Sequence, residues 1–227
     1  MKRRMIQGLL ILALLCGAVL LAHPTTAWAL DGSGTQEAPY RITTAADLQA
    51  FAERVNDGET TACAVLMTDI TINSNVLDAD GNLNESAADT FTPWTPIGNN
   101  YANRYTGTFD GKGYTISGLY IDSNAGYVGL FGVIGTNGTV QNLTLADSYI
   151  SISRSDINTF VGGICGDNWG SITNCSNSGI VNVSGGDYTY VGGICGRNNG
   201  GSIENCDNSS DVAGTDTCLL YTSPSPR

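Results

Sequence analysis

The residues of this chain best suited to chemistry are four cysteines that recur at matching places in two repeated segments. Cys165 and Cys175 lie in the first segment, and Cys195 and Cys206 lie in the second. In an exported protein such thiols can form disulfides, bind zinc or pack as small apolar groups. Each pair is separated by nine or ten residues, whereas zinc chelation uses cysteines about two to four residues apart. No zinc site is therefore predicted.

Apolar residues replace these cysteines one repeat earlier. Phe131 stands at the first cysteine position of the repeat and Leu143 at the second. Successive coils of a parallel solenoid lie about 4.8 Å apart, so the cysteines at each position are expected to stack on one another. The replacement by Phe and Leu favours two buried columns of free thiols. Cross-coil disulfides are the alternative.

The single histidine, His23, lies in a leader segment described below. A mature chain without histidine cannot assemble a Ser-His-Asp triad, a Cys-His dyad or an H-E-x-x-H zinc site. Two carboxylates can hydrolyse a glycoside without histidine, but 21 Asp and Glu residues bring acid pairs together by chance. We therefore predict no catalytic residue, no cofactor and no enzymatic activity for this chain, and leave open that of a longer protein.

One polar segment has a pattern similar to a calcium loop. Asp78, Asp80, Asn82 and Asn84 alternate along it. The turn glycine of such a loop follows the third ligand, whereas Gly81 precedes Asn82 here. The pattern is therefore closer to that of a solvated loop or inserted hairpin, and no metal site is predicted.

The beginning of the chain has the composition of a signal peptide. A basic start is followed by an apolar stretch from Leu9 to Ala22 and by the sequence Ala27-Trp28-Ala29. These features predict cleavage between Ala29 and Leu30, export, and no membrane insertion after cleavage. An uncleaved membrane anchor is the alternative.

The last ten residues, 218–227, share none of the composition of the repeats. Their sequence, CLLYTSPSPR, equals one reading frame of the transposase adapter used in short-read DNA libraries. They are predicted to be foreign to the native protein, and a native Pro/Ser linker is the alternative. On this interpretation further repeats or other domains of the same chain are expected downstream.

The charge of the chain argues against nucleic acid and anionic lipid as partners. Its formal net charge is −11, and three of its ten basic residues lie in the predicted signal peptide. Nucleic-acid binding and attachment to anionic lipid both require clustered basic residues. We therefore expect an acidic, soluble surface and no nucleic-acid partner.

An internal repeat predicts the architecture. Residues 161–190 and 191–214 both contain V-G-G-I-C-G followed by I-x-N-C-x-N, and weaker copies precede them. Short apolar runs separated by Gly and Asn are typical of stacked β-coils. We predict an all-β, right-handed parallel β-helix over residues 99–217, with Phe109 and Leu119 as the inward equivalents of Phe131 and Leu143. Asn142, Asn174 and Asn205 recur at one position and are expected to form a turn ladder.

A different segment, residues 30–98, precedes the coils and is predicted to cap them. Thr44 and Asp47 form a capping box, and Leu48, Phe51 and Val55 follow at helical spacing. A helix over about 44–56 is expected to cover the otherwise open end of the solenoid.

Tyrosines are the candidates for stacking against sugar rings. The tyrosines of the repeats could provide such a surface, although tyrosine at solenoid turns more often serves packing. They are Tyr101, Tyr105, Tyr120, Tyr127, Tyr149, Tyr188 and Tyr190.

The repeat resembles the GLUG-motif repeats of bacterial surface proteins. The residues that carry the resemblance are G-x-F-D-G-x-G-x-x-I-x-G-L from Gly107, V-G-L-F-G from Val128 and the two V-G-G-I-C-G segments. Such repeats also occur as accessory regions of zinc peptidases that cleave immunoglobulin A. The resemblance implies a secreted or cell-surface β-helical module, serving as an adhesin stalk or as a platform that binds host or plant glycans and proteins. The alternative it implies is the accessory region of a larger exported hydrolase.

Overall fold

A computed structural model describes residues 30–152, 158–184 and 189–214, and the backbone of residues 217–219. The predicted signal peptide and residues 220–227 lie outside the described residues. The last described strand extends two residues into the segment predicted to be foreign, because Cys218 and Leu219 pair with Tyr190 and Val191.

Twenty short strands and one α-helix make up the regular structure of the described residues. The helix, α1, spans Ala45–Asn56, and a single 3₁₀ turn spans Ala88–Thr90. The strands are β1 Tyr40–Ile42, β2 Ala64–Leu66, β3 Ile70–Thr71, β4 Thr108–Asp110, β5 Thr115–Ser117, β6 Tyr120–Asp122, β7 Tyr127–Val128, β8 Phe131–Ile134, β9 Thr139–Ala146, β10 Tyr149–Ile152, β11 Thr159–Gly162, β12 Cys165–Asn168, β13 Ser171–Asn177, β14 Ile180–Val183, β15 Thr189–Gly192, β16 Cys195–Asn198, β17 Ser202–Glu204, β18 Asp207–Asn208, β19 Val212–Gly214 and β20 Thr217–Leu219.

The strands stack in parallel as a β-solenoid of about three turns, which confirms the predicted fold class. Each coil contributes one or two strands to each of four parallel sheets. The largest sheet contains β4, β9, β13 and β17, and the other three are β6-β10-β14-β19, β7-β11-β15-β20 and β8-β12-β16. Neighbouring coils are in register, so that residues about 30 positions apart lie directly over one another.

Inward side chains fill one continuous core, and β9 shows how its spacing arises. Val140, Leu143 and Leu145 are buried, while their neighbours on the strand are partly exposed. A regular strand alternates every second residue, so the three-residue step from Val140 to Leu143 needs a change of direction. Asn142 provides it with φ of 54°, a left-handed conformation that Asn adopts more readily than most residues.

The cysteine columns predicted for the two repeats are present. Two residues of the first coil, Phe109 and Leu119, differ from the prediction. Phe109 is buried as expected, yet it pairs with Val140, and Ile97 is the residue that precedes Phe131 in its column. Leu119 is also buried, but it lies beside Ser148, with its amide donating to the Ser148 hydroxyl. The assignment of Phe109 and Leu119 to the cysteine columns was wrong. Register follows the burial pattern of paired strands, which a local motif match does not reveal.

Helix α1 closes the N-terminal end of the solenoid, as predicted. Its capping box is complete, because Thr44 accepts from the Asp47 amide and Asp47 accepts from the Thr44 amide. Phe51 is completely buried and meets the rings of Tyr105 and Phe109 at 6.0 and 5.8 Å. The helix thus covers apolar core that the first coil would otherwise expose.

The polar segment after β3 is a loop, in agreement with its composition. A single antiparallel bridge joins Leu77 to Leu83. The Asp78 side chain accepts hydrogen bonds from the Asp80 and Asn82 amides at 2.9 Å. The carboxylate therefore closes a turn within the loop. In the part of the chain that the structure describes, no three His, Cys, Asp or Glu side chains are grouped as metal ligands.

Candidate functional site

Aromatic side chains form an outward column on the sheet of β7, β11 and β15. Tyr127 stacks on Phe160 with ring centroids 5.5 Å apart and planes at 11°, and Phe160 stacks on Tyr190 at 5.1 Å and 17°. The strands pair in register, so equivalent side chains of successive coils must lie over one another. We call these three residues, together with Tyr101 and Trp169 beside them, the aromatic face.

A loop before the first coil brings Tyr101 to this column. Asn56, the last residue of α1, accepts from the amides of Gly98 and Asn99 at 2.9 and 3.1 Å. The Asn100 side chain then accepts from the amides of Ala102 and Asn103 and closes a tight turn. The Tyr101 ring meets Tyr127 edge-on at 5.0 Å. The cap therefore positions one wall of the site as well as covering the core.

Trp169 comes from the turn between β12 and β13. Its amide donates to the Ile134 carbonyl of the preceding coil at 2.8 Å. The Asn168 side chain accepts from the Gly170 amide at 3.1 Å, which fixes the turn on the other side. Trp169 is 37% exposed, the same fraction as Tyr101.

A buried carboxylate holds the aromatic face together. Asp167 is completely buried, and Arg197 donates to both of its oxygens at 2.8 and 2.7 Å. The Tyr101 hydroxyl and the Trp169 indole also donate to it, at 2.7 and 2.9 Å. Burial alone would raise the pKa of Asp167, but these hydrogen bonds hold it below its usual value. The carboxylate thus orients both exposed rings.

Arg197, the cation paired with Asp167, also contacts two aromatic side chains. The guanidinium carbon of Arg197 lies 3.9 Å from the centre of the Phe160 ring, a cation–π contact. The Nη2 group of Arg197, which donates to Asp167, also donates to the Tyr101 hydroxyl at 2.6 Å. Burial and the hydrogen bond to Asp167 raise the pKa of Tyr101, so that its hydroxyl stays protonated. The charges of Asp167 and Arg197 therefore cancel locally.

A cavity of about 290 Å³ opens beside the two exposed rings. The Tyr101 and Trp169 rings lie 6.4 Å apart with their planes at 78°, and they form two walls at nearly a right angle. Arg104, Gly135 and Thr136 complete the lining. A concave surface with aromatic walls and a few polar groups is typical of a small-molecule subsite.

The cysteines lie in the core, away from this cavity. Cys165 pairs with Cys195, and both thiols donate to a backbone carbonyl two residues ahead, at 3.3 and 3.0 Å. Cys175 and Cys206 donate instead to the carbonyl two residues behind, at 3.4 and 3.3 Å. All four are free thiols in the structure. Burial and the neighbouring thiol of Cys195 raise the pKa of Cys165, which suits a packing role.

The three predicted asparagines form a ladder along one edge of the solenoid. The Asn174 amide donates to the Asn142 side chain at 3.1 Å, and Asn205 donates to Asn174 at 3.3 Å. Sequence reasoning missed the start of this ladder, because Asn142 in turn donates to Asp110 at 3.0 Å. The Asp-Gly turn at this residue was the available signal.

The tyrosines occupy different surfaces. Tyr101, Tyr127 and Tyr190 belong to the aromatic face, whereas Tyr120 and Tyr149 pair with each other on another sheet. Tyr188 lies outside the described residues.

Tyr105 offers no surface for a sugar, because its ring is completely buried. It packs at 5.3 Å from Phe131, and its hydroxyl donates to the Ala62 carbonyl at 2.9 Å. Packing, the alternative interpretation, applies to this tyrosine.

Four of the five residues that line the cavity were missed: Arg104, Gly135, Thr136 and Trp169. The signal in the sequence is that the turn D-N-W-G of one repeat becomes R-N-N-G in the next, so Trp169 is not required by the repeat.

Comparison with known proteins confirms the resemblance. Residues 187–213 match the family described as the GLUG motif, and the chain therefore carries this repeat. A protein of Evansella cellulosilytica named as a Gly-rich membrane protein is 40% identical over 146 residues, which are 64% of this chain and 15% of that protein. Halomucin of Haloquadratum walsbyi is 38% identical over 152 residues, which are 66% of this chain and 2% of that protein.

These relatives are much longer than the chain, which spans a small part of each. Among solved structures, one named as an immunoglobulin A1 protease of Bacteroides ovatus aligns over 84% of both chains with 16% identity and a TM-score of 0.40. That likeness is too distant to indicate an activity. Across the described residues, no helix has both the length and the apolar character to cross a membrane.

Proposed function

We propose that this chain is a non-catalytic β-solenoid module of an exported or cell-surface bacterial protein, and that its aromatic face holds an extracellular glycan or host protein. The observation that carries the proposal is the pair of rings, Tyr101 and Trp169, held half-exposed beside a cavity by the buried Asp167. Large exposed aromatic side chains that are fixed by polar contacts favour binding over solubility alone.

The repeat architecture supports this role. A solenoid presents the same outward position once per coil, and the column of Tyr127, Phe160 and Tyr190 shows this repetition. Phe160, in the middle of the column, is only 4% exposed and lies under Arg197, so the partly exposed Tyr127 and Tyr190 are the parts of the column that a ligand can contact. The acidic charge of the chain keeps nucleic acids and anionic lipids away.

A glycan and extracellular-protein array tests this function. The exported chain is expected to retain at least one glycan or protein, and Trp169→Ala is expected to weaken that retention. Tyr114→Ala is the matched control, because Tyr114 is equally exposed at 37% but lies outside the aromatic face. Absence of any retained partner, or equal loss in both variants, would contradict the proposal.

A second candidate function is the accessory, substrate-targeting region of a larger exported hydrolase. The matched region is 15% and 2% of the two relatives, so a module of this kind can occur beside other domains of a longer protein. Sequencing the gene beyond codon 217 separates the two. Further repeats with a sorting or anchoring segment would support the surface module, and a downstream catalytic domain would support the accessory role.

A further inference from the structure

The cavity beside Tyr101 and Trp169 has the size and lining of a site for a single sugar ring. Its volume of about 290 Å³ is at the lower end of small-molecule sites, roughly 300–1,000 Å³. A pyranose ring has an apolar face of C–H groups and a rim of hydroxyls. Two aromatic walls at 78° can cover the apolar face and one edge of the sugar. The open side of the cavity leaves room for the polysaccharide to continue.

The lining also offers polar groups that could meet the hydroxyls, from Arg104 and Thr136. Arg104 donates to the Tyr101 carbonyl at 3.0 Å, and a guanidinium has five N–H donors in all. Within the described ranges, no carboxylate forms an ion pair with Arg104. Thr136 is an exposed residue of the lining, and its hydroxyl can both donate and accept.

The charge of the molecule favours a neutral sugar. An acidic polysaccharide carries a charge on successive units and would need several cations along its path, against a chain of net charge −11. Among the described residues around the cavity, Arg104 is a cation without an ion pair, whereas Arg197 is neutralised by Asp167. A neutral polymer meets no such repulsion.

Another cavity, of about 250 Å³, lacks these features. It lies beside α1 and is lined by Trp94 together with Glu53 and Asp57. Trp94 is only 6% exposed, and its indole donates to the Leu130 carbonyl at 3.1 Å. Its ring is therefore committed to the core and offers no open face to a ligand.

We propose that the cavity formed by Tyr101, Trp169, Arg104 and Thr136 binds one neutral pyranose unit of an extracellular polysaccharide. This assignment rests on the proposed function and narrows its partner to a neutral glycan. Trp169 and Tyr101 cover the apolar face of the sugar, and Arg104 and Thr136 contact its hydroxyls. Tyr127 of the stacked column supports the Tyr101 ring, and Asp167 holds both walls in place.

Tryptophan fluorescence of the exported chain tests the proposal directly. After signal cleavage the chain has two tryptophans, and the buried Trp94 is shielded while Trp169 is open to acrylamide. Titration with cellohexaose, xylohexaose and mannohexaose is expected to reduce acrylamide quenching of Trp169 with at least one of them. Hexagalacturonate, the anionic probe, is expected to bind at least tenfold more weakly.

Variants distinguish a specific site from loss of folding. Trp169→Ala and Thr136→Phe, which fills the cavity from an exposed position, are each expected to weaken binding at least tenfold, measured by calorimetry. Tyr114→Ala is expected to bind as the unmodified chain does. Unchanged binding in Thr136→Phe would overturn the assignment of the cavity.

The outcomes also separate this inference from the proposed function. Stronger binding of hexagalacturonate than of every neutral hexasaccharide would overturn the inference and leave a glycan-binding module. Retention of an extracellular protein on the array, with no hexasaccharide bound, would overturn the inference and support the wider function. Failure of both the array and the titrations would overturn both.

Discussion

Single polar side chains connect successive coils of this solenoid, and the asparagine ladder is the clearest example. Each Asn of the ladder adopts positive φ, at 54°, 53° and 52° for Asn142, Asn174 and Asn205. The same residue therefore bends the backbone and links its amide to the neighbouring coil. Asp110 begins the ladder with a charge, which strengthens the hydrogen bonds that it accepts.

Asp110 makes stability depend on pH. Burial alone would raise the pKa of Asp110, but hydrogen bonds from Asn142, Lys112 and Gln141 lower it to about 2. An unfolded Asp has a pKa of about 3.9, so this stabilisation is complete above that pH and is lost as the pH falls toward 2.

We expect Asp110→Asn to lower the free energy of unfolding by about 1–2 kcal/mol at pH 7. The difference from the unmodified chain should shrink on acidification toward pH 2, as measured by urea unfolding across this range. A difference that stays constant with pH would show that the charge of Asp110 is not involved.

The buried thiols give a second prediction at the level of the residue. Cys165, Cys175 and Cys195 are buried, while Cys63 and Cys206 are partly exposed. Because alkylation requires an accessible thiolate, iodoacetamide should label Cys63 and Cys206 in the native protein. The other three should react only after denaturation, without any reductant. Mass spectrometry that finds cross-coil disulfides would contradict the thiol columns.

At the level of the element, α1 combines two tasks. Its capping box fixes where the helix begins, Phe51 covers the core, and Asn56 at its end anchors the loop of Tyr101. A change at the start of the helix should therefore affect stability, while the aromatic face at its other end is held by separate contacts.

Thr44→Ala removes the side chain that accepts from the Asp47 amide at 3.1 Å. We expect a loss of about 1 kcal/mol in the free energy of unfolding, typical of an N-cap substitution, as measured by urea unfolding. Thr44→Ser is the matched control, because serine keeps the hydroxyl acceptor. Equal losses in both variants would indicate that the methyl group, and not the cap, carries the effect.

At the scale of the whole molecule, each coil contacts mainly the coils next to it. Such solenoids have stabilities that depend on each coil and its immediate interfaces. The core of this chain runs continuously from the helix cap at Phe51 to Ile203 in the last described coil. Local damage should therefore remain local.

Ile203→Ala tests this behaviour at the C-terminal end. Removal of a largely buried isoleucine side chain costs about 2 kcal/mol or more. We expect hydrogen exchange to accelerate in β17 and in its neighbour β13, and to change little in β1 and β2. Uniform acceleration along the chain would show that the solenoid unfolds as a single cooperative unit.

The sequence by itself determined the solenoid, the helix cap and the asparagine ladder. Each of these rests on a local or periodic pattern: a capping box, a repeated glycine turn, or an Asn at one position per coil. Parallel strands in register convert such periodicity directly into stacking. The sequence pattern alone is sufficient to predict the structure wherever equivalent residues of successive coils face equivalent neighbours.

Only the tertiary structure decided the candidate site and the column of Phe109. Tyr101 and Arg197 are 96 residues apart and share a hydrogen bond, and no repeat relates them. Tyr105 and Tyr101 look alike in sequence, yet one is buried and the other is exposed. A cavity forms between non-equivalent residues of different coils, so its geometry depends on how the cap loop packs against the solenoid, which periodicity does not specify.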